Sequence, residues 1–226
     1  MDIENLKDPQ TVKSTLSQII KYTFETEEEQ VTSCVQKLLT DINLIPILSQ
    51  TPHQSLALRL NEQYENDVGI IVSFLLNYMV LQPGEALVLN PNEPHAYLKG
   101  EGLECMATSD NVVRGGLTPK LKHAKVLVDM LTYETGPITP FTGDSKSKRG
   151  HVVYNSGFEE FSVVKLSGKA DQEPMVYTSQ NPGILICLSG SGNMHTSKGK
   201  EYKVDKFDTF YCLPGEELSL TVTGEE

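Results

Sequence analysis

The densest run of groups able to do chemistry lies between Glu93 and Lys120. It opens as Glu93-Pro-His-Ala-Tyr-Leu98 and continues as Glu101 to Lys120, EGLECMATSDNVVRGGLTPK, where ionisable and hydrogen-bonding side chains alternate with small residues. The imidazole of His95 can ligate a metal or carry a proton. Beside Pro94 it also reads as an ordinary loop histidine, and a barrel mouth is the context that would aim it at a concave site. Arg114 stands before Gly115-Gly116, where backbone lacking Cβ atoms can approach a ligand closely. A permanently charged guanidinium there suits a phosphate or an oxyanion. An ion pair to Glu104 or Asp110 is the competing use of that charge. Lys120 follows a Thr-Pro turn and either adds a point charge for a phosphate or is a solvated lysine. Lys122, Lys125, Lys146, Lys148 and Arg149 read as solvated surface.

Two kinds of element must position these groups. Residues 1 to about 80 have helical texture. Thr26 to Glu29 (T-E-E-E) has capping-box spacing, and Val31, Cys34, Val35, Leu38 and Leu39 then form one apolar stripe. Pro52 can start a second helix carrying Leu56 and Leu60. Asp67 can cap a third, with Ile70, Ile71, Phe74, Leu75 and Tyr78 at helical spacing. From Val80 short apolar runs alternate with Pro-Gly, Asn-Pro, Lys-Gly and Gly-Gly punctuation, the texture of a sandwich or barrel. Leu121 to Tyr133 interrupts it with Val126, Leu127, Met130 and Leu131 at helical spacing. Gly136 to Gly150 reads as an exposed connection. FSVVKLS, GILICLSG, EYKV, DTFYCLP and LSLTV then read as strands between Phe158 and Thr223.

Composition narrows the class. The chain has 226 residues, 38% hydrophobic and 22% charged, which suffices for a packed core. A net charge of −11 argues against a nucleic-acid role, because phosphate backbones attract basic surfaces. No apolar run approaches the roughly 18 to 20 residues needed to span a bilayer, and no secretory signal opens the chain. Cys34, Cys105, Cys187 and Cys212 lack ligand spacing. The last three sit in apolar, strand-like runs that suit buried thiols, and a reducing, cytoplasmic compartment fits.

A weak internal repeat lays Glu85-Ala-Leu-Val-Leu-Asn-Pro91 on Asp208-Thr-Phe-Tyr-Cys-Leu-Pro214. Both resemble the acidic-turn, strand, proline element of cupin-type jelly rolls. Four positions after the proline stands His95 in the first copy and Leu218 in the second. The expected fold class is α+β: a helical segment followed by cupin-type β structure in two regions.

The stretch Asp67 to Lys120, DVGIIVSFLLNYMVLQPGEALVLNPNEPHAYLKGEGLECMATSDNVVRGGLTPK, resembles the signature region of type I phosphomannose isomerases. PHAYL around His95, ECMA(T)SDNVVR through Arg114 and the following GLTPK carry the likeness in residue type, order and spacing. The resemblance implies a cytoplasmic enzyme with one zinc ion that interconverts mannose 6-phosphate and fructose 6-phosphate, supplying mannose for GDP-mannose and glycosylation. It assigns His95 as a metal ligand and Arg114 as the catalytic arginine. Tyr97 and Lys120 would line the sugar-phosphate cleft, with Glu104 and Asp110 near the substrate. Zinc and a guanidinium would stabilise the negative charge that develops on the enediol oxygens. No nucleic acid or membrane partner is implied. The expected division is a helical insertion domain (1–66), the second half of a catalytic cupin-type domain (67–150) and a C-terminal cupin-type domain (151–226).

The likeness also has gaps. The family's other zinc ligands are a Gln-x-His pair and a Glu on earlier strands, and Gln-x-His occurs nowhere in this chain. His123 stands where the family tends to have an acidic residue. These departures lead to the expectation of a C-terminal portion of the enzyme, its last β domain incomplete and the chain inactive alone. The competing expectation is a non-catalytic cupin-type sugar-phosphate-binding or interaction module without its metal site.

Overall fold

The computed structural model describes residues 8–109, 111–145 and 150–224. Five helices come first or nearly so: α1 (Pro9–Glu25), α2 (Glu28–Asn43), α3 (Pro52–Gln63), α4 (Val68–Val72) and α5 (Ala124–Met130). Ten strands follow Gly84: β1 (Glu85–Ala86), β2 (Phe141–Thr142), β3 (His151–Tyr154), β4 (Val163–Leu166), β5 (Met175–Thr178), β6 (Gly183–Ile186), β7 (Ser191–Thr196), β8 (Glu201–Val204), β9 (Thr209–Cys212) and β10 (Glu217–Gly224). Two compact units divide the chain between Phe141 and Thr142, within the predicted Gly136 to Gly150 connection.

In the first unit α1 starts where Pro9 supplies a preset φ and the Asp8 carboxylate accepts the Thr11 N–H at 2.9 Å. The predicted capping box at Thr26 does not form. Its hydroxyl donates back to the Tyr22 carbonyl at 2.6 Å, so Thr26 closes α1 and α2 begins at Glu28 without a side-chain cap. A threonine between two helices can serve only one of them, and here the orphan carbonyl outcompetes the orphan N–H. The true capping box is Thr51 with Gln54, at the start of α3. Val31, Val35 and Ile42 of α2, Leu56, Ala57 and Leu60 of α3, and Ile70 of α4 make the core. Cys34 is exposed, because the stripe turns through Val31, Val35, Leu38 and Leu39 and leaves i+3 outside it.

The helix expected after Asp67 is shorter than its periodicity. It stops at Val72, and a 3-10 turn covers Ser73–Leu75, where the Ser73 hydroxyl donates to the Ile70 carbonyl at 2.7 Å. The helix within Leu121 to Tyr133 forms as α5, but its buried residues are Leu127 and Val128, while Val126 is exposed. A larger departure lies between. A sheet carrying His95 is expected, yet only Glu85–Ala86 is strand, and Leu87 to Arg114 contains no strand among the described residues. Tyr97, Leu103, Met106 and Val112 are exposed there, as is Cys105. An apolar run becomes a strand only when a neighbour accepts its backbone hydrogen bonds.

The second unit is all β. One antiparallel sheet has the order β5-β10-β7-β8, and β3–β4 and β6–β9 form separate pairs. In β6–β9, Leu185 lies opposite Phe210 and Gly183 opposite Cys212. Leu185, Phe210 and Cys212 pack with Met194, Val204 and Leu218 of the four-stranded sheet, a two-layer sandwich core. Leu218, the position matched to His95 in the repeat, is 4% exposed and belongs to that core. Strands β3, β5 and β7 were not expected individually; β7, Ser191-Gly-Asn-Met-His-Thr196, is too polar to stand out. No helix among the described residues is long and apolar enough to cross a membrane.

Leu60, 1% exposed at the meeting of α2, α3 and α4, tests this packing. Leu60→Ala lowers unfolding stability by about 2–5 kcal/mol. Leu121→Ala, at a side chain 76% exposed, changes it by less than about 0.5 kcal/mol. Urea unfolding of the two variants checks the contrast.

Candidate functional site

Two separate constructions hold the candidate residues. The first begins in the turn Asn90 to Glu93. Asn92 takes a left-handed φ of 63°, and the Glu93 carboxylate accepts the Asn90 backbone N–H at 3.3 Å and its side-chain amide at 3.1 Å. The turn places the Glu93 carbonyl 3.0 Å from Nδ1 of His95. With Nδ1–H donating to that carbonyl, the Nε2 lone pair is free on an exposed ring. This is the tautomer of an imidazole that ligates a metal through Nε2. The ring of Tyr97 stands edge-on to His95 with centroids 5.7 Å apart. The Tyr97 hydroxyl donates to Oε1 of Glu104 at 2.9 Å.

The phenol of Tyr97 is pushed up to about 12, first by partial desolvation and then by its hydrogen bond to Glu104 and that group's charge. Tyr97 therefore stays protonated at neutral pH and acts as a donor, not a base. Glu104 is taken up by this bond and does not pair with Arg114. Among the described residues Arg114 has no ion-pair partner within 4 Å. Asp110 lies outside the described residues.

The second construction is centred on Asp67, whose side chain is 9% exposed. Oδ1 accepts the Gly69 N–H at 2.7 Å, capping α4, and also the Leu117 N–H at 2.9 Å. Oδ2 accepts from Nζ of Lys122 at 2.7 Å. Lys122 is thus an ion-pair partner and not the free surface lysine its sequence context implied. The glycine pair also has a different use from the predicted ligand approach. A Cβ on Gly115 would lie 2.5 Å from Leu127 and 2.9 Å from Phe24; one on Gly116 would lie 2.7 Å from Asp67 Oδ1 and 2.9 Å from the Gly69 backbone. Both glycines let the loop pack on α1, α4 and α5. Leu117 then adopts a left-handed φ of 53°, a strain of about 1–3 kcal/mol that a surrounding lock must hold. Arg114 is half-buried at the start of this loop, its carbonyl accepting the His123 N–H at 3.3 Å. Lys120 is exposed, and its N–H donates to Thr118 Oγ1 at 3.2 Å.

His95, Tyr97 and Glu104 are therefore brought together, and Arg114 and Lys120 share a loop fixed by Asp67. Among the described residues no three His, Cys, Asp or Glu side chains group as a metal site. Among the described residues of this site, His95 is the side chain whose geometry suits a metal. Sequence reasoning saw Asp67 only as a helix cap, since its other two partners lie 50 and 55 residues away.

The family model for the phosphomannose isomerase type I helical insertion domain matches residues 2–76. The mannose-6-phosphate isomerase of Emericella nidulans is 39% identical over 188 residues, covering 75% of this chain and 40% of that protein. That of Cryptococcus neoformans var. neoformans serotype D is 36% identical over 216 residues, covering 91% and 49%. Mannose 6-phosphate isomerase from Salmonella typhimurium, solved with fructose 6-phosphate and zinc, superposes with a TM-score of 0.79 at 23% identity, covering 97% of this chain and 54% of that one. At that identity the likeness establishes the fold. The chain spans about half the length of the relatives it matches.

The Tyr97 pair yields a pH prediction. A folded-state pKa above the ordinary value of 10 means that the protonated phenol's stabilisation is complete below about pH 10 and is lost as pH rises towards 12. In ultraviolet titration, the difference between wild type and Tyr97→Phe isolates one late phenolate transition among the nine tyrosines. Glu104→Gln moves that transition down towards 10, because the carboxylate charge that opposes ionisation is gone.

Proposed function

The chain belongs to the type I phosphomannose isomerase family, and we propose that it carries part of the sugar-phosphate site of an aldose–ketose isomerase that interconverts mannose 6-phosphate and fructose 6-phosphate. The observation that carries this reading is similarity to proteins named mannose-6-phosphate isomerase over as much as 91% of the chain. The ordered run from His95 through Arg114 to Lys120, read from the sequence, supports the same reading. Residues 67–150 are read as part of the catalytic cupin-type domain, residues 1–66 as its helical insertion and 151–226 as a C-terminal cupin-type domain. The compartment that fits is the cytoplasm, and the partners are small sugar phosphates.

Moving a proton between C1 and C2 of the sugar places negative charge on the enediol oxygens. Arg114, half-buried at the head of the loop fixed by Asp67, is the cation that meets that charge. Tyr97 stays protonated and, anchored on Glu104, presents a fixed polar edge beside His95. Lys120 is exposed and holds the phosphate by charge; Asp110 and Glu104 border the sugar. His95 fits as one donor to zinc through Nε2, and zinc when bound would supply Lewis-acid stabilisation of oxygen charge. The described residues complete no donor set for it, so the 226-residue chain alone holds zinc weakly and does not turn over substrate. That same incomplete set favours the second reading, a sugar-phosphate-binding module without catalysis.

In an active holoenzyme containing this chain, His95→Ala lowers zinc content and turnover together. Arg114→Ala leaves zinc bound and lowers kcat by about 10²–10³-fold. Lys120→Ala acts mainly through KM. Metal analysis with steady-state kinetics on mannose 6-phosphate checks all three. Full zinc in His95→Ala, or near-normal kcat in Arg114→Ala, contradicts the assignment, and turnover absent from the unsubstituted holoenzyme leaves the non-catalytic module.

A further inference from the structure

We propose that Asp67, which lies outside the glycine-rich motif, is the positioning residue that holds Arg114 in its working place. The inference rests on the isomerase reading, since it deepens the role of Arg114. Three donors from two distant segments converge on this nearly buried carboxylate: Gly69 N–H and Lys122 Nζ at 2.7 Å, and Leu117 N–H at 2.9 Å.

The loop starting at Arg114 is gripped on both sides. Gly115 sits against Phe24 and Leu127, and Gly116 sits against Asp67 and Gly69 so closely that neither tolerates a Cβ without movement. Leu117 is held at a φ of 53°, which a leucine leaves when the hydrogen bond fixing it is removed. Asp67 therefore acts on Arg114 through the backbone of Gly116 and Leu117, three residues from the guanidinium's own Cα. Loss of the carboxylate frees the loop while leaving Arg114 in place chemically, and a displaced charge stabiliser loses much of its effect on the transition state.

Trypsin cleaves after arginine, so the Arg114–Gly115 bond reports this loop directly. Asp67→Ala is cut there at least about tenfold faster than wild type, with cleavage after Arg59 in the α3 core unchanged. Asp67→Asn, which keeps an oxygen for the two N–H groups, is intermediate. In the active holoenzyme Asp67→Ala lowers kcat by about 10–100-fold with wild-type Arg114, but by less than about twofold on an Arg114→Ala background. A general folding defect lowers kcat equally in both. Unchanged cleavage after Arg114, or equal losses in both backgrounds, overturns the proposal. If Asp67→Ala does not fold, Gly116→Ala displaces the same loop and must give both signatures; wild-type behaviour in it overturns the proposal too. A holoenzyme inactive on mannose 6-phosphate defeats the isomerase reading instead, and the proteolysis then decides on Asp67 alone.

Discussion

The carboxylate of Asp67 joins two stretches of chain far apart in sequence, the start of α4 and the loop from Leu117 to Lys122. Its first hydrogen bond, to Gly69, is local and starts α4. Its second and third, to Leu117 and Lys122, cross 50 and 55 residues and bring the glycine-rich loop onto the helical core. A nearly buried carboxylate is tolerated only when donors replace the water it has lost, so the three bonds stand or fall together. Gly69 and Gly116 permit the approach, because either side-chain carbon would occupy the space the hydrogen bonds need. The left-handed Leu117 is a consequence of the same closure.

What this lock holds differs in kind from what lies just before it. Arg114 to Lys122 is backed by packed helices, whereas Lys99 to Ser109, beyond the half-buried Leu98, is exposed chain without a strand. His95 is set by one carbonyl and Tyr97 by one carboxylate. The Asp67 construction supplies a cation on a rigid base; the His95 construction supplies an imidazole of defined tautomer and a neutral phenol. Each is suited to part of the charge stabilisation that an aldose–ketose proton transfer requires.

Much of this was legible in the residues. The α+β class, the starts of α3 and α4 at Pro52 and Asp67, and strands β4, β6, β8, β9 and β10 follow from local pattern, since each depends on neighbours a few positions away. The misreadings share a cause: a choice between two local bonds, or a partner far along the chain. Thr26 had two helices to serve and served α1. Lys122 looked solvated because Asp67 is 55 residues away. The Gly115-Gly116 pair suggested a ligand, and only the fold shows Phe24, Leu127 and Gly69 in that place. The apolar alternation around His95 suggested a sheet, which local pattern cannot supply without a pairing strand.

Amide hydrogen exchange on the 226-residue chain tests the Asp67 lock most directly. The Leu117 and Gly69 amides, both donors to Oδ1, exchange at least about a hundredfold more slowly than those of the exposed run Lys99 to Ser109. If Leu117 exchanges as fast as that exposed segment, the loop is not held by Asp67 and the account of the site fails.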